Sequence, residues 1–97
     1  MATLQGEIAD VLERFIRQEF RIVDDGASFR DAHLFESGYV DSAGVVELIA
    51  FLESRFDISL GDDQVFSDQF TTINGIAGIV MAVIAFGQRY DDVRPAV

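Results

Sequence analysis

The best-placed reactive side chain in this 97-residue sequence is Ser42, in an Asp41-Ser42 pair that opens a run of helical periodicity. A serine hydroxyl can serve as a nucleophile when a base activates it, or as an attachment point for another group. Activation finds little support: His33 is the only histidine, it falls in a loop, and one histidine makes neither a metal site nor a triad. Cysteine is absent, which removes a thiolate nucleophile, a thiolate metal site and a disulfide framework, and leaves any thiol chemistry to a prosthetic group. The acid pairs Asp24/Asp25, Asp62/Asp63 and Asp91/Asp92 do not fit the spacing of a calcium loop and read as caps, turns and solvated surface. An Asp-Ser pair at a helix start is also what an ordinary cap looks like.

The elements that must position this pair follow from apolar spacing. Thr3 can cap a helix from Thr3 to Phe20, in which Leu4, Ile8, Val11, Leu12, Phe15 and Ile16 recur at three- and four-residue steps. Arg14, Arg17 and Arg21 line a different side, where cations near a C-terminus complement the helix dipole. A long connection then runs to Val40, with Phe29, Leu34, Phe35 and Tyr39 spaced too irregularly for an amphipathic element, as in a loop pinned by apolar anchors. Asp41 or Ser42 can cap a second helix, carried by Val45, Leu48, Ile49, Leu52 and Phe56 up to Asp57. Asp63 to Ser67 has room for one or two helical turns, and Thr72 reads as the cap of a last helix from Ile73 to about Phe86, ended by Gly87.

No segment alternates as a strand does, so the fold class is all-α: three longer helices and a short one in a single domain over 1–87, with a polar tail over 88–97. Ile76 to Phe86 is apolar at nearly every position and too short to span a bilayer. Burial between the other three helices is the ordinary explanation, and an apolar strip for a partner is the other. Gly75 and Gly78, three apart, permit close helix contact.

Charge narrows the partners. The net charge of -10 arises from 17 acids against seven arginines, with no lysine, which disfavours binding to a nucleic-acid backbone. Between Asp31 and Asp68, nine acids face Arg55 alone, which suits a solvated face or a docking surface for basic partners. The first ten residues lack a basic region followed by an apolar run, and no stretch approaches a spanning helix, so the expected location is cytoplasmic.

The segment LFESGYVDSAGVVELIAFLESRFDI, from Leu34 to Ile58, resembles the acyl carrier protein family. It has an LF-x-SG approach, Asp-Ser at a helix start, and an E-L-I-x-x-L-E-x-x-F run. Asp62 and Asp63 before a short helix, then F-T-T-I at Phe70 to Ile73, follow in the order of a carrier four-helix bundle. The LFESG approach and Gly44 look closer to standalone, aminoacyl-type carriers, D-alanyl carriers included, than to the fatty-acid type.

The resemblance implies that the family's modified serine falls on Ser42 and its preceding aspartate on Asp41, with 4'-phosphopantetheine attached covalently to Ser42. It implies a carrier rather than an enzyme, holding an acyl or aminoacyl intermediate as a thioester. The implied partners are a phosphopantetheinyl transferase, an acyl- or aminoacyl-loading enzyme, and a downstream transferase or synthase. Ala43 departs from the family's usual Leu or Met and offers a smaller contact where such enzymes touch. Elementary chemistry agrees with the attachment point, because a serine in the first turn projects off the helix end, where backbone N–H groups and the dipole favour a phosphodiester.

If Val45, Leu48, Ile49, Leu52 and Phe56 face inward, Ala43, Val46, Glu47, Ala50 and Glu53 lie toward the outer side and form a partner-binding strip of small apolar groups and acids. The rival expectation is an acidic helical interaction module that keeps the carrier outline and is never modified.

Overall fold

Ile8, Leu12 and Ile16 recur at four-residue steps, and in the computed structural model, which describes residues 4–22 and 28–87, they line the buried face of α1 (Leu4–Glu19). Thr3, the expected cap, lies outside the described residues. Leu4, expected in the inward row, is 46% exposed because it starts the helix beyond the reach of the core. The helix closes at Arg21, whose φ of 54° is left-handed, with the Ile22 N–H donating to the Arg17 carbonyl at 3.0 Å.

The connection to α2 is not wholly irregular, because Phe29–Asp31 forms a 3-10 turn with Phe29 buried. Charge fastens this turn to α1: Arg30 donates to Glu13 at 2.6 Å and also pairs with Asp10, while the Arg17 guanidinium lies 4.3 Å from the Phe29 ring centre. Burial pushes the Glu13 carboxyl up, but hydrogen bonds from Arg30 and Arg17 outweigh it and hold its pKa below the ordinary value. Further along, the Leu34 N–H donates to the Thr71 carbonyl at 2.8 Å and the Val40 N–H to the Leu34 carbonyl at 3.0 Å. Gly38, at φ 86°, makes the bend between them that a side chain would resist. Leu34 and Val40 are buried, so the approach to Asp41 is anchored at both ends.

α2 (Ser42–Phe56), α3 (Asp62–Val65) and α4 (Ile73–Ala82) complete an all-helical architecture with no strand among the described residues, that of a small carrier-type helical bundle. Thr72 caps α4 as its sequence suggests, its Oγ1 accepting from the Gly75 N–H at 2.9 Å, and a π-helical segment, Val83–Gly87, extends α4. Ile8, Leu12 and Ile16 of α1, Leu48 and Leu52 of α2, and Ile73, Ile76 and Val80 of α4 share one core with Phe29, Leu34, Val40 and Phe70.

Burial accounts for most of the apolar last helix. It is buried along the inward face as far as Val83, whereas Ile84 and Phe86 are 37% and 67% exposed. Of the two glycines expected at helix contacts, Gly75 serves a different neighbour. A Cβ on Gly75 would lie 2.0 Å from the Gln69 carbonyl oxygen, so its close approach is to the preceding loop, and Gly78 meets the Gln5 side chain of α1 at an ordinary 3.4 Å.

Candidate functional site

The sequence leaves open whether Asp41 or Ser42 caps α2, and the geometry gives that role to Asp41. Its backbone is extended (φ -95°, ψ -177°), and its Oδ1 accepts from the Gly44 N–H at 2.8 Å. The Val45 N–H donates to the Asp41 carbonyl at 3.1 Å, which starts the helical ladder. Ser42 is thereby released from capping. It is the first residue of α2, its side chain is exposed, and no hydrogen bond engages its hydroxyl among the described residues. The first amides of any helix lack acceptors within it, so an anionic group held by Ser42 would meet positive backbone there.

Four of the five residues expected in the outer strip, Ala43, Val46, Glu47 and Ala50, are exposed on the turns that follow Ser42. Val46 is 68% exposed, a β-branched apolar side chain one turn beyond the serine. Glu53 is different: it is half-buried, and its Oε2 accepts from the Leu60 N–H at 2.9 Å, tying down the loop after α2. The inward row also divides, with Leu48 and Leu52 fully buried and Val45, Ile49 and Phe56 half-buried.

One contact near this turn escapes sequence reasoning. The Glu47 carboxyl is pushed up by a hydrogen bond with Glu19 of α1, then by the charges of Glu19 and Asp41. No local signal links Glu19 to Glu47, since the contact exists only once the end of α1 packs beside the start of α2. His33 is committed locally, its Nδ1 accepting from the Glu36 N–H at 3.0 Å. A cleft of about 880 Å3 lies between the loop after α2 and the end of α4, where Leu60, Asp62, Ile79, Val83 and Phe86 line it. No residue of the first turn of α2 contributes to it.

Comparison with known proteins bears on what this exposed hydroxyl is for. The family model described as the phosphopantetheine attachment site matches residues 2–80. The chain belongs to this phosphopantetheine carrier family. It is similar to the D-alanyl carrier proteins of Streptococcus sanguinis (strain SK36) and Streptococcus thermophilus (strain ATCC BAA-491 / LMD-9). Each is 33% identical over 73 residues, which cover 75% of this chain and 85% of the relative. No solved structure matches significantly.

The family's cofactor is 4'-phosphopantetheine, and the residues of this carrier-family chain fit such a group. An exposed hydroxyl with no competing partner among the described residues stands at a helix N-terminus, and the neighbouring aspartate does the capping that the serine would otherwise do.

Proposed function

We propose that this chain is an acyl or aminoacyl carrier, nearer to D-alanyl carriers than to the fatty-acid type, in which Ser42 bears the 4'-phosphopantetheine arm. The observation that carries the reading is the division of labour at the start of α2, where Asp41 caps and Ser42 stays exposed. The chain acts as a carrier and leaves catalysis to its partners. When bound, the arm supplies a terminal thiol that holds cargo as a thioester and makes delivery to a partner's site effectively intramolecular.

The chain's own residues have modest tasks. Ser42 Oγ forms the phosphodiester bond, losing its proton to the modifying transferase while the nucleotide part of coenzyme A departs. Ala43, Val46, Glu47 and Ala50 form the contact strip for that transferase, for the loading enzyme and for the downstream transferase or synthase. Excess negative charge steers basic partners in and permits ready release, which suits a shuttle. The small Ala43 narrows the apolar contact and shifts weight to Val46. Cytoplasmic residence goes with this reading, coenzyme A being the donor. Among the described residues, no helix is long and apolar enough to cross a membrane.

Incubation of the unmodified protein with coenzyme A and a phosphopantetheinyl transferase tests the reading. Intact mass spectrometry is expected to show one added phosphopantetheinyl group, absent in Ser42→Ala, with circular dichroism unchanged because the cap belongs to Asp41. A wild-type mass that does not change would favour the unmodified interaction module.

A further inference from the structure

We infer that Phe20, at the end of α1, is a positioning residue for the modified turn: its ring seats on Gly44 and fixes the orientation in which α2 presents Ser42. The inference rests on Ser42 being the attachment point, and it adds a residue that the outer strip does not contain.

Gly44 is buried two residues after Ser42. A Cβ there would lie 2.6 and 2.9 Å from Cε1 and Cζ of Phe20 and 3.0 Å from Cγ1 of Val40. Only glycine admits so close an approach, because carbon atoms in ordinary contact stand at about 3.5 to 4.0 Å. The same residue donates its N–H to Asp41, so Gly44 receives the Phe20 ring and holds the cap at once.

Phe20 is itself held firmly. Its N–H donates to the Ile16 carbonyl at 3.0 Å, and the left-handed Arg21 with the Ile22-to-Arg17 bond closes the chain behind it. Its ring meets Phe15 edge-on, with centroids 6.4 Å apart, and Phe15 stacks on Phe51 of α2 at 3.9 Å. Contacts thus run from the middle of α2, through two rings of α1, back to the first turn of α2. A side chain at position 44 must displace the ring, which removes the seat that fixes the first turn, or tilt that turn, which moves Ser42 itself. Small misplacements of a reacting atom lower the rate of a step more than they weaken binding.

The test measures kcat and KM for phosphopantetheinylation of the unmodified full chain, together with amide hydrogen exchange at residues 43–45. Gly44→Ala is expected to lower kcat roughly tenfold with KM nearly unchanged and to speed exchange at those amides. Phe20→Leu removes Cε1 and Cζ, the atoms that a Cβ would strike. It is expected to lower kcat as well, and the double variant to exceed both single variants in kcat and in amide protection. If Gly44→Ala alone fails to fold, the double variant must still exceed Phe20→Leu. Wild-type kcat in both single variants, or a double variant no faster than Phe20→Leu, would overturn the inference. A wild-type chain that takes no arm would instead overturn the assignment of Ser42.

Discussion

At the N-terminal end of α2, Asp41 accepts the Gly44 amide and the Ser42 hydroxyl is left exposed. At the C-terminal end, the Glu53 side chain accepts the Leu60 amide, its backbone carbonyl accepts from Ile58 at 3.2 Å, and Asp57 turns left-handed at φ 55°. One end keeps a reactive group available, whereas the other commits its polar groups to holding a loop. Glu47 and Glu53 illustrate the difference, since helical spacing assigns both to the outer strip. Glu47 remains exposed beside a second carboxylate, while Glu53 is half-buried and engaged. An acid on a helix face therefore belongs to a docking surface only when the fold does not need it.

Substitutions can break this contrast, and the largest effect is expected between the two ends. Leu52 is fully buried, so Leu52→Ala should cost roughly 2 to 5 kcal/mol through lost burial and a cavity, whereas Ala50→Ser, on the exposed face, should change stability by only a few tenths. Chemical denaturation of both variants checks it, and equal losses would mean that the faces of α2 are misassigned. Glu53→Ala removes the acceptor for the Leu60 amide and should cost about 1 kcal/mol in the same assay, with little change in partner association.

Glu47 should behave in the opposite way. Glu47→Lys should slow association with partner enzymes in stopped-flow measurements while the fold survives, and added salt should weaken the wild-type rate. The pKa of Glu47 is raised by folding, so the native state binds its proton more tightly than the unfolded chain does. Its contribution is stabilising at low pH and is lost as pH rises from the ordinary carboxylate value through the raised one. Glu47→Gln should flatten that part of the stability profile, and an unchanged profile would show that the Glu19 contact does not form.

Much of this arrangement is legible in the sequence because it depends on local chemistry. Leu48 and Leu52 four residues apart, Thr72 before Ile73, and an Asp-Ser pair before a periodic run all act through neighbours in the chain. The 3-10 turn at Phe29–Asp31 is less legible, since it is held by Asp10 and Glu13 about twenty residues away. The fate of Glu53 depends on where the loop brings Leu60, and the Glu19 contact depends on packing between α1 and α2. Gly44 is visible as a glycine in an unusual position, but only the structure brings the Phe20 ring against it.

The central claim is that the exposed hydroxyl at the start of α2, and no other, carries the arm. Tandem mass spectrometry of proteolytic fragments, after modification with coenzyme A and a transferase, tests it most directly. A single phosphopantetheinylated peptide is expected, with the group on Ser42. The same group on Ser28, Ser37, Ser54, Ser59 or Ser67, with Ser42 unmodified, would contradict it.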